Sequence, residues 1–107
     1  MKVVFLRSAE ADLKDLRRYL IKNFGAQGWA DCYRKIRKSV AMIEAHPESG
    51  RVPEELENMN AAQYRQVISG MNRIIYELRA DTAYIHVVCD TRRDLKNLLM
   101  RRMVSAA

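Results

Sequence analysis

The hydrophobic periodicity of this 107-residue chain changes from helical to alternating near its middle. Apolar residues recur at helical spacing over residues 9–24 and again over residues 29–43, and Gly25 separates the two series. We predict a first helix that Ser8 caps and Gly25 ends, followed by a second helix over residues 26–45. The connection is so short that the two helices must pack as an antiparallel hairpin.

Shorter apolar segments predict four strands. Residues 3–6 form an apolar run typical of a buried strand, and residues 51–62 have the polar composition of a loop. The segments 64–68, 73–78 and 83–89 are separated by turn-forming residues. We therefore predict that these three segments form an antiparallel meander.

The last predicted strand and the residues after it complete the fold. Alternation divides this strand between two faces, one with Ile85 and Val87 and the other with Tyr84, His86 and Val88. A short basic helix is predicted over residues 93–103. We predict one α+β domain over residues 1–107: an N-terminal strand, an antiparallel helical hairpin, a three-stranded antiparallel meander and a short C-terminal helix. The helices are expected to pack on one face of the sheet.

The charge balance favours an anionic partner. The chain carries 19 Lys and Arg against 13 Asp and Glu, a net charge of +6, which suits nucleic acid, an acidic protein or both. No apolar run approaches the ~18 residues that span a bilayer, and the N-terminal run is too short for a secretory signal. We expect a cytoplasmic protein without membrane contact. Cys32 and Cys89 lack metal-ligand spacing, so we predict reduced thiols and no metal or other cofactor.

Arginines are the most informative candidates for a functional site, because the chain has no phosphate-binding glycine loop, zinc motif or catalytic triad. Arg65 and Arg73 fall on neighbouring predicted strands, where they can share a face, and Arg92 and Arg93 directly follow the last strand. A guanidinium cluster binds phosphate or carboxylate groups, so one interpretation is an anion-binding site. The alternative is that these arginines are solvated or pair with acids of the same region: Glu77, Asp90 and Asp94.

Four short segments carry a family resemblance: residues 8–13 (SAEADL), 43–50 (IEAHPESG), 64–76 (YR, then G and RIIY) and 87–95 (VVCDTRRDL). Each is a weak motif alone, but in this order they cover nearly the whole chain. In this combination the chain resembles the RelE/ParE superfamily of bacterial toxins from type II toxin–antitoxin pairs.

The resemblance implies one of two activities. RelE-type members are ribosome-dependent ribonucleases that cut messenger RNA, and Arg65, Arg73, Arg92 and Arg93 could match their basic catalytic positions. However, residues 95–99 contain no Tyr or His that could act as a general acid or base. ParE-type members inhibit DNA gyrase by protein–protein contact and need no catalytic residue. The long hairpin and the Arg-Arg-Asp-Leu segment at residues 92–95 resemble this branch better.

The resemblance also implies partners. The expected ones are a cognate antitoxin with an acidic C-terminal segment, joined in a hetero-oligomer, and DNA gyrase, with the ribosome as the alternative target. The predicted target-binding or anion-binding residues are Arg65, Arg73, Arg92, Arg93, Arg101 and Arg102. The predicted antitoxin-binding residues are Leu16, Tyr19, Leu20, Trp29, Tyr33, Leu95, Leu98 and Leu99. A further alternative is a non-toxic module that binds nucleic acid through its basic surface.

Overall fold

The computed structural model describes residues 1–58 and 63–105, with the side chains of residues 103–105 left aside. Its elements are β1 (Lys2–Phe5), α1 (Arg7–Ala45), a 3-10 turn (Glu54–Leu56), β2 (Tyr64–Ser69), β3 (Asn72–Arg79), β4 (Thr82–Asp90) and α2 (Leu95–Ser105). Part of the predicted loop over residues 51–62 lies outside the described residues. The predicted α+β architecture and its element order are confirmed.

The four strands form one sheet in the order β1-β4-β3-β2. β2 pairs antiparallel with β3, and β3 with β4, as the meander prediction requires. β1 pairs parallel with β4 from Lys2 opposite Thr82 to Phe5 opposite Ile85. Because parallel neighbours cannot be joined by a tight turn, the whole of α1 lies in the connection that leads from β1 into the meander.

α1 is a helical hairpin with its bend at Gly25. A straight helix of 39 residues would be about 57 Å long at 1.5 Å per residue, whereas the longest dimension of the fold is 40 Å. Gly25 has φ 76° and ψ 178°, a conformation that L-residues with a Cβ rarely adopt. The bend brings Ala9 from the N-terminal arm and Ile43 from the C-terminal arm into the same buried cluster.

The start of α1 differs from the prediction. Leu6 occupies the N-cap position, and no side chain caps the helix. Ser8 lies inside the first turn, and its Oγ donates a hydrogen bond to the backbone oxygen of His86 at 3.1 Å. The predicted Ser8 cap is therefore wrong, because this hydroxyl bonds to the neighbouring strand rather than to its own helix.

The sheet is covered on both faces rather than one. On one face the hairpin buries a cluster that includes Ile36, Ile43, Ile74, Tyr76 and Ile85. On the other face α2 and the 3-10 turn cover a second cluster: Leu56, Ile75, Val87, Cys89, Leu95, Leu98 and Leu99. The expectation that the helices share one face is therefore wrong for α2.

A β-bulge in β4 explains how this second apolar surface arises. Ile75 lies opposite Val87, but the next residue, Tyr76, lies opposite Ile85, so His86 is an extra residue in the ladder. An extra residue reverses the alternation beyond it. Ile85 and Val87 consequently face opposite sides of the sheet, and the prediction that they share a face is wrong.

Candidate functional site

Arg73 is held in an internal ion pair beneath the 3-10 turn. Its Nη1 and Nη2 donate to the two carboxylate oxygens of Glu55 at 2.7 and 2.8 Å, and its Nε donates to Gln66 Oε1 at 2.8 Å. The Arg73 side chain is only 9% exposed. The hydrogen bond from Arg73 lowers the pKa of Glu55 and keeps its carboxylate ionised. All three donor nitrogens are thus satisfied within the protein.

Arg65 holds the loop that follows α1. Its Nη1 donates to the backbone oxygens of Glu48 and Gly50 at 3.1 and 3.0 Å. Arg65 lies opposite Tyr76, whose side chain faces the hairpin, whereas Arg73 faces the 3-10 turn. The two arginines therefore point to opposite faces of the sheet, and the expectation that they share a face is wrong.

Arg102 connects α2 to α1 across an open edge of β4. β1 ends opposite Ile85, so within residues 1–58 and 63–105 the continuation of β4 has no strand on that side. Asp12 Oδ2 accepts the Val88 N–H at 2.9 Å, and Arg102 Nη1 donates to the His86 backbone oxygen at 2.7 Å. Arg102 also donates to both oxygens of Asp12, at 2.9 and 2.5 Å. Asp12 and Arg102 thus form hydrogen bonds with β4 that a neighbouring strand would otherwise form, so Arg102 has a structural role.

Three of the predicted arginines remain at the surface. Arg92 pairs with Asp90, Nε to Oδ1 at 3.0 Å and Nη2 to Oδ2 at 3.2 Å, yet its side chain is 81% exposed. This is one of the acid partners that the sequence offered as the alternative. Arg93 next to it and Arg101 on α2 are also exposed. Of the six predicted arginines, the ones exposed at the surface are therefore Arg92 and Arg93 after β4 and Arg101 on α2.

An exposed apolar pair, which sequence reasoning missed, lies at the turn between β2 and β3. Ile68 at the end of β2 and Met71 in the following turn are 56% and 62% exposed. The Thr91 N–H donates to the Met71 backbone oxygen at 2.9 Å, which holds this turn against the segment that carries Arg92. Large exposed apolar side chains beside cations are typical of a surface that binds another macromolecule. In the sequence, Ile68 and Met71 are distinguished by their position at a turn, where periodicity does not show which side chains are buried and which are exposed.

A polar cluster around Glu77 was also missed. Glu77 is 6% exposed and accepts hydrogen bonds from His86 Nε2 at 2.8 Å and Arg79 Nε at 2.9 Å. Burial acts to raise the pKa of Glu77, but these two hydrogen bonds and the attraction to the Arg79 charge together outweigh it, and the net shift is downward. The rings of Tyr64 and His86 meet edge to face at 5.5 Å. His86 joins the cluster because of the bulge, which the residue pattern does not reveal.

The predicted antitoxin-binding residues divide into two groups. On the hairpin, Tyr19 and Tyr33 are 57% and 41% exposed, Trp29 stacks on Tyr33 at 5.2 Å between ring centroids, and Leu16 and Leu20 are half-buried. Tyr19 and Tyr33 are therefore open to contact by a partner, whereas Leu16 packs against the hairpin cluster. The second group, Leu95, Leu98 and Leu99, is buried where α2 packs on the sheet. It is closed to any partner while α2 is docked.

Neither a metal cluster nor a membrane helix occurs in the described part of the chain. Over residues 1–58 and 63–105, no group of three or more His, Cys, Asp or Glu side chains is placed to hold a metal ion. Within the same residues, none of the helices has the length and apolar character needed to cross a membrane.

Comparisons with known proteins point to one family. The family model described as "ParE toxin of type II toxin-antitoxin system, parDE" matches residues 3–95, from β1 to the first residue of α2. Toxin ParE1 of Caulobacter vibrioides is 32% identical over 82 residues, which is 77% of this chain and 81% of that protein.

Solved structures share the fold. The chromosomal ParDE toxin–antitoxin system of P. aeruginosa has a TM-score of 0.68 at 13% identity, covering 84% of this chain and 95% of that chain. The YoeB dimer from Staphylococcus aureus has a TM-score of 0.57 at 19% identity, covering 87% and 98%. The family match spans the strands and hairpin that position the surfaces described above. On these grounds the chain belongs to the ParE toxin family of type II toxin–antitoxin systems.

Proposed function

We propose that this toxin inhibits DNA gyrase through protein–protein contact and is neutralised by a cognate antitoxin. The observation that carries the choice of gyrase over messenger RNA is the internal use of Arg65 and Arg73. A ribonuclease needs cations and proton-transferring groups gathered around one scissile phosphate. Here the two arginines lie on opposite faces of the sheet and bond to carbonyls or to Glu55. A binding inhibitor needs no such cluster.

The family match supports the same choice. The matching family model and the 32% identical relative both carry the ParE name. The structural likeness to the YoeB dimer, at 19% identity, supports the shared fold and leaves the reaction open. For this reason the ribonuclease activity is retained as the alternative outcome of the experiment below.

The surface proposed to meet the target is the one formed by Ile68, Met71, Arg92 and Arg93. It combines exposed apolar side chains with guanidinium groups, as the centres and rims of protein interfaces do. The surface proposed for the antitoxin is the aromatic group of the hairpin: the exposed Tyr19 and Tyr33, and the half-buried Trp29 that stacks on Tyr33. The net charge of +6 suits the acidic antitoxin segment that the family resemblance implies.

The test measures both activities on one preparation. Purified toxin is added to gyrase with relaxed plasmid and, separately, to ribosomes translating a defined message. We expect loss of supercoiling or accumulation of cleaved DNA, an intact message, and reversal of the effect by antitoxin. Cuts in ribosome-bound message without an effect on gyrase would establish the ribonuclease alternative. Normal growth when the toxin alone is induced in cells would favour the non-toxic module.

Matched charge-reversal variants locate the target surface. Arg92→Glu with Arg93→Glu is expected to lower gyrase inhibition at least about tenfold, since truncating an arginine at an interface hot spot costs about 2 kcal/mol or more. Arg34→Glu with Arg37→Glu changes the net charge equally on the C-terminal arm of α1. Equal loss in both variants would show that only overall charge matters and would refute this surface assignment.

A further inference from the structure

The N-terminal arm of α1 carries a basic face that neither the fold nor the proposed gyrase contact uses. Lys14, Arg17, Arg18, Ile21 and Lys22 line an open hollow on this face. At about 100° per residue these five positions fall within an arc of about 140°. Leu13 and Leu16 lie on the other side of the helix, against the hairpin cluster. The packing of the helix therefore fixes the cations on its outward side.

Most of these cations have no ion-pair partner in the part of the chain that the structure describes. Arg18 pairs with Asp15 at 3.4 Å, and both side chains are more than 70% exposed. Among the described residues, no carboxylate lies within ion-pair distance of Lys14, Arg17 or Lys22. This distinguishes the face from Arg65, Arg73 and Arg102, whose guanidinium groups are bonded inside the protein. The charge of the face is available to an external anion.

We propose that this basic face binds the phosphate backbone of duplex DNA without sequence preference. Lys14 and Lys22 are separated by about 12 Å along the helix axis. Phosphates of one DNA strand recur every 3.4 Å along the duplex, so a stretch of this length spans roughly three to four of them. Four cations on a rigid helix thus match the spacing of a short run of phosphates.

The side chains of the hollow favour duplex DNA over other anionic partners. A protein partner would need apolar or aromatic anchors, and lysine is depleted in such interfaces. The hollow offers one apolar side chain, Ile21, which is 38% exposed. Single-stranded nucleic acid is bound by stacking its bases on aromatic rings, and no aromatic residue lines the hollow. Backbone phosphate contact alone fits what is present.

The experiment uses the full chain and a labelled 25-base-pair duplex of arbitrary sequence over a salt series. Four phosphate contacts predict a slope of log K against log salt near −3.6, or about a 150-fold loss of affinity between 50 and 200 mM salt. Because gyrase is absent from the assay, its result is independent of the proposed function. A duplex of unrelated sequence is expected to bind equally well.

Two triple variants that change the net charge equally test whether DNA binds at this basic face. Lys14→Gln, Arg17→Gln and Lys22→Gln together should reduce the slope to about −0.9 and weaken binding at 50 mM salt at least about tenfold. Arg34→Gln, Arg37→Gln and Lys38→Gln on the C-terminal arm should leave the slope unchanged. Circular dichroism melting checks that both variants fold, as expected for exposed helix positions.

The outcomes separate the alternatives. Loss of DNA affinity confined to the first variant supports the proposal. Equal loss in both variants, or no measurable binding at 50 mM salt, overturns it. A polyglutamate peptide serves as the probe for an acidic protein partner. If this peptide competes with DNA at equal charge concentration, and if its affinity falls to the same degree in the first variant, the face binds an acidic protein and the DNA proposal is overturned.

Discussion

Replacing Arg102 with methionine should destabilise the protein by releasing α2 from α1. The substitution keeps much of the aliphatic length but removes the donors to both Asp12 oxygens and to the His86 backbone oxygen. The Asp12 carboxylate then keeps its hydrogen bond from the Val88 N–H but loses the positive charge of Arg102. Breaking one side of a buried ion pair costs about 3–5 kcal/mol. The Arg102 and Asp12 side chains are 24% and 14% exposed, so water compensates part of the loss.

We expect the free energy of unfolding to fall by about 2–3 kcal/mol, which corresponds to a decrease in Tm of roughly 10–20 °C for a domain of this size. Urea and thermal unfolding followed by circular dichroism measure both values. Asp12→Asn keeps an acceptor for the Val88 N–H but removes the charge. In a double-mutant cycle the two substitutions should therefore cost much less together than the sum of their separate effects.

Arg92→Met is the matched control, because it removes an arginine from a pair of similar geometry at the surface. Arg92 is 81% exposed and pairs with the partly exposed Asp90, so no measurable change in the free energy of unfolding is expected. If Arg102→Met has no larger effect than Arg92→Met, or if the cycle shows additive effects, then the Asp12–Arg102 pair does not hold α2 and the argument fails.

Three further predictions concern the interior. Gly50→Ala should lower the free energy of unfolding by more than about 2 kcal/mol in urea titrations, because its Cβ would overlap the Tyr76 hydroxyl and lie 2.8 Å from the Gln66 backbone oxygen; a wild-type midpoint would contradict this. The hydrogen bond from Arg73 lowers the pKa of Glu55 in the folded protein. The Glu55–Arg73 pair therefore stabilises the fold at pH values above the ordinary carboxyl pKa, and this contribution is lost as the pH falls. The stability difference between wild type and Glu55→Gln should thus shrink from pH 6 to pH 3, whereas a constant difference would exclude the linkage. Burial raises the pKa of the Cys89 thiol; in a Cys32→Ser variant, labelling by a thiol reagent at pH 8 should require unfolding, and rapid labelling of the native protein would show that α2 opens easily.

Local patterns in the sequence were sufficient to predict most of the backbone. The helical period on both sides of Gly25 predicted the hairpin, since a glycine at this point permits the positive φ that the bend requires. The predicted strand over residues 73–78 is present as β3, with Ile74 and Tyr76 on the hairpin face and Ile75 on the other. These features depend on neighbours within a few residues, which is the range over which periodicity carries information.

The partners of the arginines depend on contacts that are distant in the sequence. Arg73 meets Glu55 across 18 positions, and Arg102 meets Asp12 across 90. The residue pattern shows that these cations exist and that acids are available, but many pairings are consistent with it. The adjacent pair of Arg92 with Asp90 was the one that local reasoning could offer as an alternative. The site prediction consequently overstated the number of arginines open to a target.

The bulge at His86 links several of these differences through one cause. By reversing the alternation, it turns Val87 and Cys89 toward the face away from the hairpin, which creates the apolar surface that α2 covers. With α2 docked there, Arg102 reaches Asp12 and the His86 backbone oxygen at the open edge of β4. Arg102 is thereby withdrawn from the charge available to partners. The exposed cations of the proposed DNA and gyrase contacts lie instead on α1 and directly after β4, so substitutions there should alter binding without altering the fold.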